Sequence, residues 1–233
     1  MTTKAVFFDV DFTLIYPGST FGAQGYRTFC ARHGLAVDIT RFDGAVLAAS
    51  SELEVGDDAT YRADMFVRFG RRVIEAMGGS GDGLDACAQE IYDEWALCRH
   101  FLLYADVKPA LRQLHATGLR LGLISNTHRC LTTFQEHFDL DALIAGAVSS
   151  AEHGYMKPHP SIFEAALRGL GVDAAEAMMV GDSLSHDVAG ARELGMRAVL
   201  LDRSGQGRTE ADGVAVIRSL AELPAVVASS WST

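Results

Sequence analysis

Apolar positions along the chain fall into two regimes. In the second half, Leu119–Ile124, Ala177–Val180 and Ala198–Leu201 are short runs that are apolar throughout. Each follows a helical pattern that stops at a glycine: Gly118, Gly171 or Gly195. Glycine just past a helix end takes the left-handed conformation without a Cβ penalty. A strand with no polar face is covered on both sides, the condition of a parallel sheet with crossover helices. Val6–Phe8, Leu143–Val148 and Val214–Ile217 complete the predicted sheet.

From about Ser19 to His100 the pattern changes. Phe21–His33, Ala45–Leu53, Tyr61–Met77 and Leu84–Cys98 read as helices, with no strand pattern between them. In the third, Met65, Phe66, Phe69, Val73, Ile74 and Met77 recur near the helical period and make one apolar face. The prediction is a doubly wound parallel α/β core, residues 1–16 and 102–233, with an all-helical unit, residues 17–101, inserted straight after the first strand. The expected hinges are Tyr16–Ser19 and His100–Tyr104. Gly78–Gly83, GGSGDG, reads as a loop between helices, because no strand precedes it and its spacing is not that of a phosphate cradle.

In an open parallel sheet, ligands bind beyond the carboxyl ends of the strands. That rule gathers four separated pieces. Asp9 and Asp11 follow the first strand, and Ser125 and Asn126 follow Leu119–Ile124. Lys157 stands in YMKPHP, and Asp182, Ser183 and Asp187 stand in GDSLSHD after Ala177–Val180. Alone, each piece is an ordinary turn, helix cap or surface lysine; Ser125-Asn126-Thr127, for instance, reads as a cap for a helix through Leu131–Phe138. Together, each after a strand, they point to one cleft.

Four carboxylates in one cleft repel one another, and a divalent cation relieves that repulsion. Oxygen donors, with no thiolate or imidazole at the key positions, suit magnesium rather than zinc. A carboxylate is also a nucleophile for phosphoryl groups, which would make Asp9 the carrier of an aspartyl-phosphate. Asp11, two positions on and facing the same way along an extended chain, would protonate the leaving alkoxide and then deprotonate the attacking water. Lys157 would offset charge on nucleophile and phosphoryl group. Ser125, with backbone N–H groups near Asn126, would hold phosphoryl oxygens. His153, His159 and His186 share no ligand spacing and are assigned supporting or surface roles. Phe12, Tyr16, Phe21, Arg27 and Tyr61 are read as packing residues in preference to pocket residues.

Composition narrows the partners. The 233 residues are 48 % hydrophobic and 21 % charged, a globular composition, with a net charge of −10. No Lys/Arg cluster occurs, so a nucleic-acid surface is not expected. No apolar stretch is long enough to span a bilayer, and acidic residues directly behind the first apolar run do not fit a signal peptide. Cys30, Cys87, Cys98 and Cys130 lack paired spacing and read as reduced thiols. The expectation is a cytoplasmic monomer or homodimer acting on a small phosphorylated metabolite, without nucleic-acid or membrane partners.

Asp9-Val10-Asp11-Phe12-Thr13-Leu14-Ile15, Leu123-Ile124-Ser125-Asn126, Lys157-Pro158 and Val180-Gly181-Asp182-Ser183 through Asp187 together resemble the haloacid dehalogenase superfamily. The likeness covers essentially the whole chain and is specific for the superfamily, not for a substrate. It implies a Rossmann-like core with a subfamily I helical cap and a phosphatase that depends on Mg²⁺. By position, it implies Asp9 as nucleophile and metal ligand, and Asp11 as acid/base that lends its backbone carbonyl to the metal. Asp182 would be a further ligand, Asp187 would orient metal-bound water or ligate directly, Ser125 and Asn126 would contact the phosphoryl group, and Lys157 would neutralise charge. The acid/base aspartate separates such phosphatases from the true dehalogenases, and the absence of any lysine between Lys4 and Lys108 argues against phosphonate cleavage. A sugar-phosphate mutase shares all four motifs and stands as the alternative, followed by a non-catalytic binding protein on the same scaffold. Phe12 departs from the family pattern, in which a small residue, often glycine, follows the second aspartate.

Overall fold

A computed structural model describes residues 2–54, 58–205 and 213–229. The strands are β1 (Ala5–Phe8), β2 (Ile15–Pro17), β3 (Phe101–Leu103), β4 (Arg120–Ser125), β5 (Ile144–Ser149), β6 (Ala177–Gly181), β7 (Arg197–Leu201) and β8 (Ala215–Ile217). The helices are α1 (Ala23–Arg32), α2 (Phe42–Ala49), α3 (Ala63–Ala76), α4 (Leu84–Trp95), α5 (Val107–Ala116), α6 (Leu131–His137), α7 (Ser150–His153), α8 (Pro160–Leu170), α9 (Gly190–Glu193) and α10 (Leu223–Ala228). By contact, the chain divides into two compact units, Met1–Tyr16 with Leu103–Thr233, and Pro17–Leu102.

The first unit is built on a six-stranded sheet in the order β5-β4-β1-β6-β7-β8, with every neighbouring pair parallel. It is a doubly wound, Rossmann-like α/β core. From β1 the chain builds outward through β4 and β5, then returns to lay β6, β7 and β8 on the other side. The strand order therefore reverses at β1, where such sheets open a crevice at their carboxyl edge. β1 is wholly buried, as a central strand covered on both faces must be. On one face, Phe7, Ile124, Met179 and Leu200 pack against Ile162, Phe163, Ala166 and Leu170 of α8. Truncating Phe163 to alanine there would cost about 3–5 kcal/mol. Elsewhere in this unit, α5 buries Val107, Leu111 and Leu114 and packs with β4 and α10. The six sheet strands match the hydrophobic runs to within one residue at each end.

α8 shows how the connections are made. Its amino end is capped by His159, whose Nδ1 accepts the Ser161 N–H at 3.2 Å, with Pro160 in the first turn. Its carboxyl end stops at Gly171, in the left-handed region at φ 58°.

The second unit is helical. α3 packs with both α2 and α4, and α1 with α4. Met65, Val73, Ile74 and Met77 are buried as the periodicity requires, while Phe66 is half-buried and meets the rings of Tyr61 and Tyr92. The expected helix Ala45–Leu53 is displaced: Asp38 accepts the Thr40 N–H and starts a 3₁₀ turn that leads into α2 at Phe42, and a second 3₁₀ turn takes over at Ser50–Leu53. Phe21 lies in a 3₁₀ turn ahead of α1, buried among the rings of Phe29, Trp95 and Phe101. β2 and β3 form a separate two-stranded sheet that hydrophobic patterning did not predict, since three-residue strands carry no readable alternation.

Candidate active site

The carboxyl edge of the sheet collects the predicted residues. Asp9 is one residue past β1, held there by its N–H bond to the Val180 carbonyl at 2.9 Å. Ser125 ends β4, and Asp182 follows Gly181 at the end of β6. Asp187 stands on a π-helical turn, Leu184–Ala189, whose start is capped by Ser183 accepting the His186 N–H. Such turns often mark functional sites.

Lys157 is buried and joins two of the acids. Its Nζ donates to Asp9 Oδ1 and to Asp187 Oδ1, each at 2.6 Å. Asp187 Oδ2 accepts the Ser183 N–H at 3.0 Å. The acid fits there because residue 181 is glycine: a Cβ on Gly181 would stand 2.2 Å from Asp187 Oδ2. Burial alone would lower the Lys157 ammonium, but the carboxylates of Asp187 and Asp9 reverse this and hold it above its ordinary value. Burial pushes the Asp9 carboxyl well up; Lys157 opposes that push, and Asp187 and Asp182 reinforce it. Asp182 is exposed as a residue, yet its carboxyl stands close to those of Asp9 and Asp187. Desolvation there and the charge of Asp187 raise it to about 6; because the residue keeps solvent access, the neighbouring charge is the firmer cause.

Asp9, Asp182 and Asp187 each place a carboxylate oxygen within 4.8 Å of the others. Three hard oxygen donors set against one lysine leave excess negative charge. This donor set fits a hard divalent cation.

The segment after β4 does not cap α6. Cys130 holds that position without a side-chain bond, and Thr127 Oγ1 accepts the Arg129 N–H at 3.1 Å. Asn126 spends its side chain on Lys157, accepting its N–H at 2.7 Å and donating to its carbonyl at 3.0 Å. The Asn126 side chain is therefore committed to the lysine segment. Ser125 Oγ is buried without a hydrogen-bond partner, a donor left for an oxyanion.

Asp11 stands apart from the carboxylate cluster. Both its oxygens are met by Nη1 of Arg129, at 3.2 and 3.0 Å. The sequence carried no signal for Arg129. Nor did it signal Arg203, which donates to the Thr13 carbonyl at 2.8 Å and to both oxygens of Asp106, and lies 3.7 Å over the Tyr104 ring. That contact pins the turn behind Asp11 to the segment after β7.

Phe12 takes the left-handed conformation, φ 63°, with its N–H on the Ile15 carbonyl and its ring exposed. The turn usually served by glycine is thus made by a phenylalanine. Phe12, Tyr104, Asp182, Asp202 and Arg203 line a cavity of about 700 Å³. His153 and His159 meet at Ser161 Oγ, each 2.8 Å away, and neither they nor His186 join the carboxylate cluster. None of the four cysteines forms a disulfide; Cys30, Cys87 and Cys98 are buried and Cys130 is exposed. No helix among the described residues is long and apolar enough to cross a membrane.

Fold and site together define a Rossmann-like α/β core whose acidic cleft is bridged by a lysine. The family model for haloacid dehalogenase-like hydrolases matches residues 3–195, and the chain belongs to that family. Among relatives, haloacid dehalogenase-like hydrolase domain-containing protein 3 of Danio rerio is 32 % identical over 144 residues. That match takes in 61 % of this chain and 60 % of the fish protein, less than two thirds of its length. The glyceraldehyde 3-phosphate phosphatase of Methanopyrus kandleri is 29 % identical over 216 residues, 86 % of this chain and 84 % of that enzyme. The crystal structure of a HAD phosphatase from Thermococcus onnurineus superposes with a TM-score of 0.67 at 27 % identity, covering 97 % of this chain and 98 % of that one.

Proposed function

We propose that this chain is a magnesium-dependent phosphatase that hydrolyses a small phosphate monoester through an aspartyl-phosphate on Asp9. One observation carries the reading: Lys157 Nζ lies 2.6 Å from both Asp9 and Asp187, beside Asp182 and at the carboxyl edge of β1. Relatives named as phosphatases support it.

Asp9, Asp182 and Asp187, with the Asp11 backbone carbonyl, would hold Mg²⁺, which when bound supplies positive charge to the phosphoryl oxygens and the cleft acids. The chain's own groups do the rest. A carboxylate oxygen of Asp9 attacks phosphorus as the bond to the ester oxygen breaks, and Asp11 gives its proton to that oxygen. Asp11, now a carboxylate, takes a proton from water as the water oxygen attacks phosphorus, and the bond to Asp9 breaks. The sum is ester plus water to alcohol plus phosphate. Lys157 opposes the upward push of burial on the Asp9 carboxyl and aims it, and Ser125 Oγ donates to a phosphoryl oxygen. The helical unit Pro17–Leu102 is assigned the cap that sets substrate choice, on its insertion directly after the turn bearing Asp9 and Asp11.

The test is phosphate release from a panel of phosphorylated metabolites with magnesium, against Asp9→Asn and against EDTA. Release by the wild type, none by Asp9→Asn and loss on chelation are expected. Net release without a bisphosphate primer separates this activity from a mutase. Turnover by Asp9→Asn would end the covalent route.

A further inference from the structure

Arg129 is among the largest fully buried side chains in the protein, with a side-chain exposure of 0 %. Burying a guanidinium costs several kcal/mol unless charge and hydrogen bonds compensate. Here the guanidinium faces the carboxylate of Asp11, whose side chain is 18 % exposed and which no other ion pair among the described residues engages. Nη1 lies between the two carboxylate oxygens, 3.2 and 3.0 Å away, so the contact fixes the turn of the carboxylate about its own axis. The backbone N–H of Arg129 is tied to Thr127 Oγ1 at 3.1 Å, and the Thr127 carbonyl accepts the Ala151 N–H at 3.2 Å. The guanidinium is thus carried on a braced segment, whereas Asp11 sits in a tight turn.

We infer that Arg129 is a positioning residue for Asp11, and that it serves chiefly the second half of the reaction, in which water attacks the phosphoenzyme. This rests on the phosphatase reading given above. The charged hydrogen bonds are made to the carboxylate, the form in which Asp11 enters the second step. In the first step Asp11 enters as a neutral acid, and the substrate itself holds the ester oxygen that receives the proton. The attacking water has no such tether, so the aim of its base matters more. Misplacing a catalytic group by about 1 Å costs on the order of 10²-fold.

The experiment separates the two steps. Wild type, Arg129→Met, Arg129→Lys, Asp11→Asn and Arg129→Met/Asp11→Asn are mixed rapidly with p-nitrophenyl phosphate and magnesium. Nitrophenol and phosphate are followed separately, and covalent phosphoenzyme by intact mass. In Arg129→Met, phosphate release should slow by roughly 10²-fold, the nitrophenol burst should change far less, and phosphoenzyme should accumulate. Arg129→Lys should show the same imbalance in weaker form, and it decides the matter if Arg129→Met does not fold. In the Asp11→Asn background, Arg129→Met should add little, because a residue acting through another is non-additive with it. Equal slowing of both steps, no slowing, or full additivity with Asp11→Asn would overturn the inference while leaving the phosphatase reading intact. A wild type with neither burst nor release would remove that reading and this inference with it.

Discussion

Asn126 grips Lys157 by its own backbone: the Lys157 N–H donates to Asn126 Oδ1 at 2.7 Å, and Asn126 Nδ2 donates to the Lys157 carbonyl at 3.0 Å. A primary amide offers a donor and an acceptor side by side, as a neighbouring strand would. The end of β4 thereby sets the position of the lysine that joins Asp9 to Asp187. Asn126→Ala should lower kcat by about 10- to 100-fold through misplaced Lys157, with less effect on KM. Asn126→Asp keeps the acceptor, loses the donor and adds a charge, and should be no better. Steady-state kinetics of the two variants check this, and a kcat within twofold of wild type for Asn126→Ala would refute it.

Among the described residues, Lys157 is the ammonium that pairs with the clustered carboxylates. Lys157→Met keeps the apolar stem and removes the charge, leaving Asp9 and Asp187 buried without it. Removing one partner of a buried ion pair typically costs about 3–5 kcal/mol. Urea unfolding in metal-free buffer should show a loss of that order, partly restored by magnesium. A loss that magnesium does not touch would contradict a shared charge balance.

The carboxyls of Asp182 and Asp9 are pushed up from an ordinary 3.8, Asp182 to about 6. A group whose folded value exceeds its unfolded value adds stability that is full below the unfolded value and lost as pH rises through the folded one. From Asp182, the metal-free protein should gain thermal stability as pH falls from about 7 toward about 4, with most of the change between about 6 and about 4. Magnesium favours the ionised acids, so its stabilising shift in Tm should be larger at neutral pH than at pH 5. Calorimetric scans with and without magnesium check both signs, and a magnesium shift independent of pH would count against Asp182 as a ligand.

Phe12 holds a left-handed backbone at φ 63° with an exposed ring. That conformation costs an L-residue roughly 1–2 kcal/mol, while glycine there adds unfolded-state entropy of about half that. Phe12→Gly should therefore leave stability unchanged or raise it by up to about 1 kcal/mol. Phe12→Val, β-branched, should lower it. Denaturant midpoints of the pair check the opposed signs.

The sequence by itself determined the sheet and the list of acids. A strand buried on both faces must be apolar throughout, so β1, β4, β6 and β7 announce themselves. An aspartate pair behind β1 and another behind β6 are local departures from that pattern. Gly118, Gly171 and Gly195 take positive φ where the helical patterns stop, because a chain reversal without a Cβ is also a local matter.

Only the tertiary structure decided who pairs with whom. Arg129 lies 118 positions from Asp11, and Arg203 lies 190 from Thr13; nothing in either neighbourhood records those distances. The Asn126 side chain braces Lys157, 31 positions on, a pairing that its neighbours in sequence do not record. Periodicity reports which face of an element is buried. Which side chains meet at the carboxyl edge of a sheet depends on strand order and register, and the strand order β5-β4-β1-β6 is what brings Asn126, Asp9 and Asp182 to one end.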